Sequence, residues 1–267
     1  MRINNNVAAF NAYRNTTASS NGLSKTLEKL SSGFRINRAA DDAAGLVISQ
    51  NLRAQISGLR TATRNVQDGI SVVQTAEGAL NEVHSMLTRM RELSVQSANT
   101  GTMDANALSA AQAEVNALVN EIDHISAETT FGSINLLDGS YSGVFQVSQA
   151  SGDTVTVSVT TLSATALSVN ALTMTSAGAA ITAIDTAISA VSTARGNLGA
   201  MQNRFESMVN NLQVGVENLT ASESRIRDAD MALEMVSFTK SQILLQAGTA
   251  MMAQANNVPQ SVLRLMQ

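Results

Sequence analysis

The sequence predicts a mainly α protein: long antiparallel helices in a coiled-coil-like bundle, with a small β-hairpin element in the middle of the chain. Three observations carry this. Apolar residues recur at alternating spacings of three and four over stretches much longer than an ordinary globular helix. One proline, Pro259, stands in 267 residues, so little in the chain breaks a helix. Aromatic residues make up 3% and tryptophan is absent. Burial therefore rests on Ala, Leu, Val, Ile and Met, which suits slender helices packed side by side.

The first helical pattern runs through Leu23, Leu27, Leu30 and Phe34 along one face. LSSGFRINRAADDAAG (residues 30–45) then interrupts it, too polar for a core strand and too rich in paired opposite charges for an idle linker. A second seam follows through Leu52, Ile56, Leu59, Thr63, Val66, Ile70 and Val73. It resumes at Leu80, Val83, Leu87 and Met90 after a phase slip near Ala76 and Glu77. A helix of roughly 45 residues here would be about 70 Å long. Asn99-Thr100-Gly101-Thr102 signals a turn, and Leu108, Ala111, Val115, Leu118, Ile122 and Ile125 form a returning helix.

The middle changes period. Val155, Val157 and Val159 alternate with Thr154, Thr156 and Ser158, as in a half-buried strand, with Val144–Val147 as partner across Ser151-Gly152-Asp153. Phe131-Gly132 and Asp138-Gly139 supply further turns. The low-charge run TTLSATALSVNALTMTSAGAA reads as loop or strand, so 131–180 is a small β-containing insert. Helical periodicity returns at Ile181, Ile184, Ile188 and Val191 and continues through Leu198, Met201, Phe205, Met208, Leu212, Val216 and Leu219. A last segment carries Ile226, Leu233, Ile243, Leu244, Met251 and Val262.

Composition removes several classes of function. The net charge of -4 is too mild to favour nucleic acid or an anionic membrane. Residues 1–100 carry 11 Lys/Arg against 7 Asp/Glu, whereas 101–200 carry 1 against 8. With no cysteine there is no disulfide or thiolate chemistry. No apolar run approaches the ~18–20 residues of a bilayer span, so membrane insertion is not expected. The N-terminal MRINNNVAAFNAYRN has no apolar core or cleavage site of a secretory signal peptide. His84 and His124 stand alone in helical patterns, outside any paired ligand spacing. Asp41-Asp42 lacks the alternating oxygens of a calcium loop and is better paired with Arg35 or Arg38. The seven arginines from Arg35 to Arg91 are dispersed and without interleaved aromatics, against nucleic-acid binding. No phosphate loop, nucleophile elbow or dinucleotide fingerprint is found, so neither an enzyme nor a cofactor is expected.

What remains is the pair of apolar seams at the two ends. Two narrow helices paired with each other leave apolar surface exposed, which neighbouring copies could cover. A head-to-tail contact whose rotation does not close gives an open helical filament. An intramolecular four-helix bundle satisfies the same periodicity.

The residues themselves resemble bacterial flagellin over nearly the full length. MRINNNVAAFNAYRN, LSSGFRINRAADDAAG and LTRMRELSVQSAN match its N-terminal signature, and SRIRDADMALEMVSFTKSQILLQAGTAMMAQANNVPQSVLRLMQ matches its C-terminal one. The short middle corresponds to the family's variable region. The resemblance implies an inner, filament-core helical domain from 1–44 and 223–267, an outer helical domain from 45–130 and 181–222, and the variable region at 131–180. Inner-domain packing would use Leu23, Leu27, Leu30, Phe34, Ile243, Leu244, Met251 and Val262, with order gained on assembly. Gly33 and Gly45 would turn the chain in the connector, and Arg35, Arg38, Asp41 and Asp42 would make charged contacts with other subunits. Implied partners are a homopolymer of further subunits, the filament cap, the hook-filament junction proteins and a cytoplasmic export chaperone, after unfolded export through the flagellar type III apparatus. The product would be a secreted, extracellular filament driving motility. In many flagellins the segments matching Arg89, Leu93 and Glu114 meet Toll-like receptor 5; here Arg89 and Leu93 lie one turn apart. A junction-type, non-polymerising adaptor fits the same resemblance.

Overall fold

Heptad periodicity becomes helix almost throughout. The computed structural model describes residues 6–265, and side-chain surroundings as far as residue 257. In chain order it contains α1 (Val7–Ser32), α2 (Ala43–Ser97), α3 (Ala105–Glu128), β1 (Thr130–Phe131), β2 (Ile134–Asn135), β3 (Ser142–Gln146), β4 (Thr154–Ser158), α4 (Ala177–Arg227) and α5 (Met231–Leu265). Side chains close the exposed helix ends. Asn6 accepts the Ala9 amide at 3.1 Å to start α1, and Asp104 accepts that of Ala107 at 2.7 Å to start α3. α1 stops at Gly33, whose φ of +73° suits glycine and whose N–H donates to the Lys29 carbonyl at 2.8 Å.

Packing divides the chain into a terminal unit, Met1–Ile56 with Glu217–Gln267, and a central unit, Ser57–Val216. These divisions fall inside α2 and α4, whose helices run on through them. In the central unit the α2 seam runs without the expected slip. Its buried positions are Ala62, Val66, Gly69, Val73, Ala76, Leu80, Val83, Leu87 and Met90, in steady four-three alternation. Gly69 and Ala76 are seam positions that an apolar scan passes over. A Cβ on Gly69 would lie 3.1 Å from the Phe205 ring. α4 answers with Ile184, Val191, Leu198, Phe205 and Leu212, one every seven residues and all buried. It includes a stretch long and apolar enough by composition to cross a bilayer, 33% of it buried in the structure.

The β elements form two antiparallel pairs, β1 with β2 and β3 with β4. Gly132 (φ +65°) turns the first pair and Gly152 (φ +96°) lies in the turn of the second. Phe145 faces Val155 and Val144 faces Thr156, the partnership expected from the alternation. Val155 and Val157 are buried while Thr154, Thr156 and Ser158 face out. The Phe145 ring meets Phe205 edge-on, with centroids 5.8 Å apart.

The polar run after Val159 is irregular backbone, and α3 holds it. The Asp123 carboxylate accepts the Ala164 amide, and Gln112 accepts from Met174 N–H while donating to the Leu172 carbonyl. Helix α4 then begins at Ala177, four residues ahead of the first apolar periodic position, Ile181.

Candidate assembly surface and receptor-facing pair

α1 and α5 lie antiparallel and meet through a row that mixes small residues with a few large apolar ones. The half-buried positions of α1 include Ala9, Ala12, Thr16, Ser19, Leu23, Thr26 and Leu30; those of α5 include Phe238, Ser241, Leu245, Gly248, Met252 and Ala255. Both rows alternate by three and four. The approach is close: a Cβ on Gly248 would come within 2.7 Å of Thr16 Oγ1. Asn6 Nδ2 donates to the Ala255 carbonyl at 2.8 Å at one end, and Lys29 Nζ reaches Glu234 Oε1 at 3.3 Å at the other.

Many other large apolar residues point away from this row. Leu27, Ile243, Leu244 and Met251, expected to pack the inner domain, are exposed in the single chain, as are Phe10, Tyr13, Leu233 and Val236. Leu23 and Leu30 do sit in the contact row, and Val262 lies outside the residues whose side chains are described. No α1 residue is fully buried. Met235, Val236, Ile243 and Leu244 line an open apolar groove on α5, and Phe10 and Tyr13 line another on α1. A helix apolar on several sides needs cover on several sides.

The connector between α1 and α2 is stitched to the one between α4 and α5. Phe34 bridges Asp228, the Arg35 amide donates to the Arg227 carbonyl at 2.7 Å, and Ala229 N–H donates to the Gly33 carbonyl at 2.9 Å. Arg35 Nη2 adds a bond to the Ile226 carbonyl at 2.6 Å. Arg227 and Arg53 place their guanidinium carbons 4.5 and 5.3 Å from the Phe34 ring centre. Arg53 also donates to the nearly buried Glu223 carboxylate at 2.8 Å. These three partners of Phe34 were not singled out in the sequence. Arg53 and Glu223 are 170 residues apart, and nothing local marks them.

The four charged connector residues all have partners within the chain. Arg38 Nε donates to Glu28 Oε1 at 2.7 Å. Asp41 Oδ2 accepts the amides of Arg38 and Asn37 at 3.0 and 3.3 Å. Asp42 Oδ1 accepts the Gly45 amide at 2.9 Å and caps α2. Gly45 therefore sits inside the first turn of α2 and does not turn the chain. Its lack of a side chain serves space, since a Cβ would lie 2.5 Å from Asp42 Oδ2 and 2.7 Å from Ile36 Cδ1.

The amide of Arg38, then that of Asn37, holds the Asp41 carboxyl below the usual aspartate range. A depressed folded-state pKa gives stability that is complete above the unfolded value and lost as pH falls through the folded one. Acidification below the ordinary carboxylate range is thus expected to release the Asn37 and Arg38 amides, and hydrogen exchange there should accelerate in Asp41→Asn already at neutral pH.

In the central unit, Arg89 and Glu114 meet across the α2–α3 hairpin, with Nε to Oε1 at 2.8 Å, and Arg89 Nη1 also reaches Glu92 at 3.1 Å. Glu114, then Glu92, raises the Arg89 pKa above its ordinary value, so the guanidinium stays charged. Arg91 is held likewise by Asp185 at 2.6 Å. All are solvent-exposed, so screening leaves these pairs little weight in stability. Leu93 differs: it is 4% exposed and belongs to the core. The hairpin thus presents Arg89 and Glu114 outward and keeps Leu93 behind them.

A long-helix protein of coiled-coil type, whose paired ends turn their large apolar side chains outward, belongs to the class of self-associating structural proteins. The bacterial flagellin N-terminal helical region matches residues 3–142, and the C-terminal helical region matches residues 181–266. The chain belongs to the bacterial flagellin family. It is 52% identical to a flagellin of Halalkalibacterium halodurans and 48% identical to a flagellin of Bacillus subtilis, in each case over 100% of both chains. A flagellar filament core protein of Brachyspira hyodysenteriae is 43% identical, again over 100% of both. The crystal structure of Bacillus cereus flagellin superposes with a TM-score of 0.52 at 32% identity, covering 56% of this chain and 88% of that one.

Proposed function

We propose that the chain is a structural subunit of the bacterial flagellar filament, an extracellular helical homopolymer, and that α1 and α5 are its main polymerisation surface. The observation that carries this reading is the outward turn of Phe10, Tyr13, Val236, Ile243, Leu244 and Met251 from the α1–α5 contact row. Neighbouring copies would bury what one chain leaves open. Purified subunit added to filament fragments should lengthen them into long fibres. Capping without growth would instead indicate a junction-type adaptor.

Export in an unfolded state through the flagellar type III apparatus fits a terminal helix pair without a large buried core of its own. The chaperone, cap and junction proteins would each engage parts of this terminal unit before or after assembly. Arg35, Arg38, Asp41 and Asp42 would act between subunits mainly by holding the connector in one shape. Rotation of the resulting filament would drive swimming.

The free subunit is also the form we expect Toll-like receptor 5 to engage, through Arg89 and Glu114 on the α2–α3 hairpin, with Leu93 supporting that face from within. Arg89→Ala/Glu114→Ala should lower receptor activation by monomer about tenfold or more, with little change in unfolding midpoint because the pair is exposed. Activation at the parental dose would remove the assignment.

A further inference from the structure

We propose that Met231, Met235 and Met251 form an oxidation-sensitive site, so that peroxide-class oxidants inactivate the free subunit for assembly while the filament is protected. The inference rests on α5 being a polymerisation surface. Among the described residues, the methionines with exposed side chains are these three, at 47%, 50% and 64%. All are on α5. The methionines of the central unit are buried or half-buried: Met90 and Met174 are within its core, and Met86, Met103, Met201 and Met208 pack against it. An oxidant therefore meets the α5 thioethers first.

Their positions make the chemistry consequential. Met235 lines the groove with Val236, Ile243 and Leu244, and Met251 lines a cleft with Leu244 and Ala247 against Ala8 and Ala12 of α1. Leu244 belongs to both. The thioether sulfur attacks one oxygen of the peroxide; an S–O bond forms as the O–O bond breaks, and the departing hydroxide takes the remaining proton to leave as water. Sulfur is oxidised by two electrons and the peroxide reduced by two. The product sulfoxide is polar and bulkier at sulfur, and it places a strong acceptor in a surface whose lining is largely apolar. Once copies cover α5, the same sulfurs lose access to the oxidant.

The test treats free subunit and preformed filament with hydrogen peroxide, maps sulfoxides by peptide mass, and measures seeded elongation. Oxidation at the three positions should be at least about tenfold faster in the free subunit, and elongation should fall in step with it. Met231→Leu/Met235→Leu/Met251→Leu, close in volume and unoxidisable, should keep elongating after the same treatment. Methionine sulfoxide reductases should restore growth of the oxidised parent. Equal oxidation of subunit and filament, or equal loss of elongation by parent and Leu variant, overturns the proposal. Failure of untreated parent to elongate seeds would instead overturn the polymerisation reading beneath it.

Discussion

Ile243→Asp/Leu244→Asp is expected to abolish seeded elongation while the central unit unfolds at the parental midpoint. Both side chains are exposed in the single chain, at positions outside the α1–α5 contact row, so the isolated subunit loses little. In an assembly each would be worth about 1.5–3 kcal/mol on burial. Losing both, and burying carboxylates in their place, raises the concentration needed for growth by roughly 100-fold or more. Sedimentation of seeded mixtures across a concentration series reads this directly. Growth at the parental threshold would mean that this face of α5 is not covered in the filament, whatever the family does elsewhere.

Phe205→Ala should have the largest effect on the central unit. The ring is completely buried, lies edge-on to Phe145 and rests against the bare Gly69 backbone. Removing it leaves a hole at the point where α2, α4 and β3 converge. Such truncations cost about 3–5 kcal/mol, a large part of the roughly 5–15 kcal/mol that holds a domain together. Urea unfolding of the full chain should show the central transition moved to markedly lower denaturant. Phe205→Leu should recover a good part of the loss, because it refills volume without the ring. A shift below about 1 kcal/mol would mean that the site collapses around the gap.

The sequence made the central unit readable because its helices bury what they advertise. Val66, Val73, Leu80, Val83, Leu87 and Met90 are apolar and inside, and the Val155–Val157 alternation marks a strand with one buried face. Reading went astray where glycine and alanine occupy seam positions. Ala76 looks like an interruption, yet it is completely buried, and a Cβ on Gly69 would crowd the Phe205 ring.

The terminal unit departs from the usual rule. Its contact row mixes Ala, Thr, Ser and Gly with Leu23, Leu30, Phe238, Leu245 and Met252, while Leu27, Ile243, Leu244 and Met251 are turned outward. Leu93 is the converse case: a residue expected at a receptor-facing site is packed within the core. The Phe34 joint was illegible for another reason. A ring held by Arg53 and Arg227 depends on segments almost 200 residues apart in the chain, and no local pattern encodes that distance.

The outward apolar face of α1 and α5 has a thermodynamic corollary. A helix pair that keeps many large apolar side chains on the outside draws part of its folding free energy from neighbouring copies. That part is a binding equilibrium, and it deepens with the logarithm of subunit concentration. Where subunits are dilute the ends remain the loosest part of the chain, and at a growing tip they become the firmest. The same residues can therefore belong to a loose chain end and to a firm fibre, with local crowding of its own copies as the variable that separates the two.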